Sequence, residues 1–76
     1  MKGHPDVLAA LNALLADELA AKDQYLAHAL KLRHWGYTKI ADRLLHEVDD
    51  EKSHAEALMR RVLFLEGEPD MTRAPL

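Results

Sequence analysis

Trp35-Gly36-Tyr37-Thr38 is the stretch that divides this chain of 76 residues into two halves. Gly36 is a natural stop for a helix, because glycine enters the left-handed conformation without steric cost. Thr38 carries a side chain suited to cap the start of a following helix. A connection this short requires the two helices to be antiparallel neighbours. The turn therefore predicts a helical hairpin.

Apolar residues on both sides of the turn recur at alternating steps of three and four, which is the spacing of one helix face. We expect the first helix over residues 5–34, with Pro5 in its first turn. We expect the second over residues 39–66, ended by Gly67 and Pro69, and an irregular tail over residues 67–76. The two stripes comprise Leu8, Leu11, Leu15, Glu18, Lys22, Tyr25, Ala29 and Leu32, then Ile40, Leu44, Val48, Glu51, Ala55, Leu58, Val62 and Leu65. The fold class is all-α, in a single domain.

Composition excludes several kinds of protein. The chain has no cysteine, so it has no disulfide, zinc-thiolate site or cysteine nucleophile. Its net charge is −3 with both signs mixed along the sequence, so we expect no nucleic-acid partner. No stretch is apolar enough for a signal peptide or a membrane span, so we expect a cytoplasmic protein without a membrane partner.

The small size of the chain predicts self-association. One hairpin cannot enclose its own apolar faces, and small chains without disulfides commonly gain stability by oligomerising. Two hairpins related by a two-fold axis would form a four-helix bundle. We therefore expect a homodimer or a higher homo-oligomer.

Three polar residues are the candidate metal ligands. Glu51 and His54 stand one turn apart on the same side of the second helix. With a rise of ~1.5 Å per residue, Glu18 lies roughly 26 Å from the turn, Glu51 roughly 20 Å and His54 roughly 24 Å. Both glutamates lie on apolar stripes, where an unpaired carboxylate is very costly. The sequence therefore predicts that these three side chains meet, and that the carboxylates are paired, hydrogen-bonded or bound to a metal ion.

A two-fold axis would double this set to four carboxylates and two imidazoles. That is the ligand set of a dinuclear iron or manganese site in a four-helix bundle. The residues alone leave iron and manganese both open, because the same ligands accept either metal.

Several stretches match one known family. They are Met1-Lys2-Gly3, Leu14-Leu15-Ala16-Asp17-Glu18-Leu19, Gln24-Tyr25, Trp35-Gly36, His46-Glu47, Asp50-Glu51, His54-Ala55 and Leu63-Phe64-Leu65-Glu66-Gly67. They resemble the N-terminal half of the bacterioferritins, a branch of the ferritin-like family. A full-length member has four long helices, and the second helix pair is missing here. Encapsulated ferritins of the wider family are similarly two-helix chains that form a di-iron site between subunits.

The resemblance implies roles for particular residues. Glu18 would be a terminal iron ligand, Glu51 the bridging carboxylate and His54 the imidazole ligand. Tyr25 is similar to a tyrosine that lies just behind the iron ligands. His46 and Asp50 match an inner-surface pair that binds iron on its way to the mineral cavity.

The departures of this chain from the family pattern predict that haem is absent. The methionine that ligates haem in the family would fall at Lys52, which departs from the pattern. Lys22, Asp23 and Asp49 make the surrounding positions polar, and such groups suit neither a porphyrin nor axial methionine ligation. We expect instead that these charges pair across a two-fold axis, Lys22 with Asp49 and Asp23 with Lys52, or stay free.

The leading hypothesis is a di-iron protein that oxidises iron(II) to iron(III) with dioxygen or peroxide, for iron storage or detoxification. The second hypothesis is a metal-binding or shell-associated half-ferritin without turnover. The third is a structural remnant in which Glu18, Glu51 and His54 are merely paired with one another. Metal content separates the third from the others, and oxygen consumption separates the first two.

Overall fold

The computed structural model describes residues 1–75, and these form an antiparallel hairpin of two helices. Helix α1 spans Pro5–His34 and helix α2 spans Thr38–Phe64. Residues 1–75 contain no strand. The hairpin is long and thin, with extents of 49 × 20 × 12 Å. The all-α hairpin that the turn predicts is confirmed.

Helix α1 begins and ends where the sequence indicates. His4 caps its start, with Nδ1 accepting a hydrogen bond from the Asp6 amide at 3.1 Å. At the other end Gly36 has φ +93°, in the left-handed region. The Tyr37 amide then donates to the Leu32 carbonyl at 2.9 Å, which closes the last turn.

Helix α2 differs from the expected bounds by one residue at its start and two at its end. Tyr37 occupies the cap position without a side-chain hydrogen bond, so Thr38 is the first helical residue and not the cap. After Phe64 the chain turns at Glu66, which has φ +60°. Gly67 packs closely instead, because a Cβ there would lie 2.7 Å from Leu8 Cδ2 and the Leu8 side chain would have to shift.

The core lies between the two helices. Leu15, Leu19 and Ala55 form its buried centre, with Leu58 and Met59 packed against them. Small side chains, Ala29 and Ala41 among them, are buried nearer the turn. The sides of both helices that do not face each other are uncovered, so Leu14 is 52% exposed and Ile40 is 53% exposed.

Residues 68–75, which we call the strap, run back along α1. The Asn12 side chain makes two hydrogen bonds to the strap. It donates to the Glu68 carbonyl at 3.1 Å and accepts from the Asp70 amide at 2.9 Å. Further on, the Ala74 amide donates to the Ala16 carbonyl at 3.1 Å. The expected irregular tail is thus tied to the helix, and Leu76 lies outside the described residues.

Two side chains of the strap add to these contacts. Arg73 Nε lies 3.0 Å from Asp23 Oδ2 on α1. Asp70 accepts a hydrogen bond from the Thr72 amide at 2.9 Å, and the Thr72 backbone and side chain together lower the pKa of the Asp70 carboxyl. The side-chain contacts are exposed to solvent, so polar groups hold the strap, and no residue of the strap is itself buried.

Neither helix of the described part of the chain is long and apolar enough to cross a membrane. The expectation of a chain without a membrane span agrees with this finding.

Replacement of Gly36 by Ala should destabilise the hairpin by about 1 kcal/mol, because any Cβ is strained in the left-handed region. No atom lies within 4 Å of that Cβ, so the whole loss would come from the backbone conformation. Urea unfolding at fixed protein concentration measures it. Glu66→Gly is the matched variant of opposite sign and should be neutral or stabilising. An unchanged midpoint for Gly36→Ala would contradict the assignment.

Candidate metal centre

Three side chains from the two helices meet at one level of the hairpin. Glu18 comes from the middle of α1, while Glu51 and His54 come from α2 and are one turn apart. His54 Nδ1 lies 3.4 Å from Glu18 Oε2 and 3.8 Å from Glu51 Oε1. One ligand atom from each residue can be chosen so that all three lie within 4.8 Å of one another. The structure therefore brings together the three residues that the sequence singles out.

The two carboxylates are more enclosed than the imidazole. The Glu18 and Glu51 side chains are 28% and 17% exposed, whereas that of His54 is 60% exposed. Glu18 Oε2 is buried and accepts no hydrogen bond from any of residues 1–75. The nearby His54 ring carries a positive charge toward the carboxylates only when both of its nitrogens are protonated. A buried acceptor without a partner is costly, so this oxygen calls for a cation or a donor.

The donor set suits a transition-metal ion with open coordination positions. Carboxylate oxygens and an imidazole nitrogen together accept iron(II) and manganese(II). Three ligands do not fill the coordination sphere of either metal, so each ion bound here would need further ligands. Among residues 1–75 this is the only cluster of three or more potential metal ligands.

Tyr25 lies two turns along α1 from Glu18 and does not belong to the cluster. Its side chain is half-buried and lines a groove with Gln24 and His28. Its placement just behind the iron ligands stays a prediction, since the hairpin alone leaves that side of α1 open.

His46 and Asp50 are both exposed on α2 and do not belong to the cluster of Glu18, Glu51 and His54. Within the described residues no third ligand joins them. Their role in binding iron remains a prediction.

On the charged surface expected in place of a haem pocket, one of the four charged residues has a partner within the chain that the sequence did not reveal. Asp49 and Lys52 are exposed, and Lys22 is half-buried. Asp23 is engaged within the chain by Arg73 of the strap. Sequence reasoning missed this partner, because Arg73 lies fifty positions away in a segment without periodicity.

The sequence pattern of the ferritin-like domain family matches residues 8–76. A bacterial ferritin of Pseudomonas aeruginosa is 52% identical over 71 residues, which cover 93% of this chain and 46% of the relative. A bacterioferritin of Mycobacterium leprae is 45% identical over 73 residues, which cover 96% of this chain and 46% of the relative. The chain thus spans about half the length of the relatives it matches.

One solved structure has closely similar coordinates. The bacterioferritin of Rhodobacter capsulatus superimposes with a TM-score of 0.96 and 40% sequence identity, covering all of this chain and 48% of that one. That structure is described as having a metal-free dinuclear site and a haem iron.

Replacement of Glu18 by Gln should raise the stability of the chelator-treated protein by roughly 1 kcal/mol, because it removes a charge and lets the buried group donate a hydrogen bond. Thermal unfolding in EDTA measures the change. Glu56→Gln, at an exposed carboxylate on α2 beside Arg60, is the control and should change stability by less than about 0.5 kcal/mol. A loss of stability on Glu18→Gln would show that the carboxylate is satisfied without metal.

Proposed function

Because the chain belongs to the ferritin-like family, we propose that it binds iron(II) through Glu18, Glu51 and His54 and oxidises it to iron(III). The observation that carries the proposal is the meeting of these three side chains, with a buried Glu18 oxygen that has no hydrogen bond from residues 1–75. Dioxygen or peroxide would accept the electrons. The activity would serve iron storage or detoxification in the cytoplasm.

The proposed site is shared by two chains. Each hairpin offers two carboxylates and one imidazole, which is half of the set that a dinuclear site in a four-helix bundle uses. The side of the hairpin that carries this set also exposes Leu14 and Ile40, which a second hairpin would cover. A two-fold axis beside Glu18 therefore completes the ligand set and the apolar core at once.

The residues at this site favour oxidation of bound iron. Four carboxylates in a partly enclosed site attract iron(III) more strongly than iron(II), because the interaction grows with the charge of the ion. Iron supplies the redox change, with one electron leaving each ion. Glu51, the less exposed carboxylate, would be the bridging ligand, as the family resemblance implies, while Glu18 and His54 would be terminal ligands. Manganese fits the same ligands and is the alternative metal.

A second candidate is metal binding without turnover, by a half-ferritin that buffers iron or associates with larger ferritin shells. The same three ligands would bind iron in either case. Iron-dependent oxygen consumption distinguishes the two candidates, because a buffer would bind iron(II) without reducing dioxygen.

Replacement of Glu51 by Ala should lower bound iron steeply while helicity is retained, because each half-site loses its bridging carboxylate. His54→Ala should weaken binding as well. Iron content after equilibrium dialysis, read beside the circular dichroism spectrum, measures both.

The matched control is Glu56→Ala, which removes an exposed carboxylate from the same helix. It should leave iron content unchanged. Equal iron binding by wild type and Glu51→Ala would refute the ligand assignment. Wild-type binding without oxygen consumption would instead favour the buffer.

The proposed protein holds no haem. The ammonium group of Lys52 stands where the family has its methionine ligand, and the exposed Asp49 adds charge to the same surface. An alkylammonium group offers no acceptor lone pair with which to ligate haem iron.

Titration with haem should therefore give no sharp Soret band of a low-spin iron with two methionine ligands. Lys52→Met is the informative variant, since it restores the family's ligand and should be the first change to yield such a band. Stoichiometric haem binding by the wild-type chain would contradict the prediction.

A further inference from the structure

A groove lies beside the open face of α1. Its floor is Ala20 and Ala21, its rim carries Tyr25 and His28, and its outer wall is Ala74 and Pro75 of the strap. The cavity holds about 380 Å³. It is therefore built jointly by the helix and the strap.

The position of this groove relates it to the metal centre. At 100° per residue, Leu14 and Tyr25 point within about 40° of the Glu18 direction, and Ala21 and His28 within about 80°, on the same side. Leu15 and Leu19, which contact α2, point to the other side of Glu18. The groove thus adjoins the face of α1 that would meet a second hairpin.

The small side chains of the floor permit a close approach of another helix. Ala20 is already buried, although α2 lies on a different side of α1. The strap makes this possible, because the Ala74 amide is bonded to the Ala16 carbonyl one turn earlier. Without the strap, the groove would lose its outer wall.

We propose that the strap forms part of the interface between two copies of this chain, holding one wall of a groove that receives a helix of the second copy. The inference rests on the shared metal site proposed above, because the site is incomplete without that second copy. The strap is already ordered in the single chain, so dimer formation costs no further conformational entropy to order it.

Asn12 is the residue on which the order of the strap depends most. Its amide group makes one contact on each side of Pro69, to the Glu68 carbonyl and to the Asp70 amide. No residue of the strap is itself buried, and the core cluster of Leu15, Leu19 and Ala55 lies between the helices, so release of the strap would uncover Ala20 and leave that core in place. The interface can therefore be weakened without unfolding the chain.

The test is the dimer dissociation constant of the wild-type chain and of Asn12→Ala, measured by sedimentation equilibrium in EDTA. Loss of two hydrogen bonds should raise Kd roughly tenfold. Arg60→Ala, which breaks an exposed ion pair on α2, is the control and should leave Kd unchanged. Arg73→Gln breaks the contact of the strap with Asp23 and changes no residue of α1. It is the second test variant and should also raise Kd, even if Asn12→Ala loses helicity.

Hydrogen exchange at the Ala74 amide supplies the second readout. It should be faster in Asn12→Ala, and slower in the wild-type dimer than in the dilute monomer. An unchanged or lower Kd, together with faster exchange at Ala74, would overturn the proposal while leaving the shared metal site intact. A wild-type chain that stays monomeric at every concentration would overturn both.

Discussion

The constraint on which this hairpin depends is the placement of two carboxylates on otherwise apolar helix faces. Glu18 and Glu51 are both largely enclosed, and one oxygen of Glu18 is buried without a hydrogen bond from residues 1–75. An apolar side chain at either position would pack more favourably against its neighbours. The buried Glu18 oxygen calls for a cation or a hydrogen-bond donor, and His54 Nδ1 lies 3.4 Å from it.

The same constraint accounts for the shape of the molecule. Two helices can bury only the stripe between them, here Leu15, Leu19 and Ala55. The face that carries the carboxylates stays open beside Leu14 and Ile40. We propose that metal binding and association use this one surface, with a second hairpin supplying both the missing ligands and the missing apolar cover. The strap forms the outer wall of the groove beside this surface, and polar contacts hold it against α1.

Much of this arrangement could be predicted from the sequence, because periodicity and helix geometry are local properties. The alternation of three and four positions predicted both helices, and the rise per residue predicted that Glu18, Glu51 and His54 would meet. The turn at Gly36 followed from the conformational freedom of glycine. The left-handed conformation of Glu66 could not be predicted in this way, because glutamate has no intrinsic preference for that conformation and adopts it here in its structural context.

The contacts of the strap were beyond sequence reasoning for a related reason. In the sequence, Asn12 looks like any polar residue on a helix surface. Its neighbouring residues do not indicate that it forms hydrogen bonds with Glu68 and Asp70, which lie 56 and 58 positions away. Asp23 was expected to meet a lysine of another copy, whereas Arg73 of the same chain reaches it first. Irregular segments carry no period, so their partners are found only in three dimensions.

The most direct test of the account is the mass and iron content of the same particle. Sedimentation equilibrium of the anaerobically iron(II)-loaded protein, combined with metal analysis, gives both quantities. The account predicts particles of two chains, or multiples of two, with two iron ions bound per pair of chains. A helical monomer that melts cooperatively, or a dimer that binds no iron, would contradict the claim that Glu18, Glu51 and His54 form half of a shared dinuclear site.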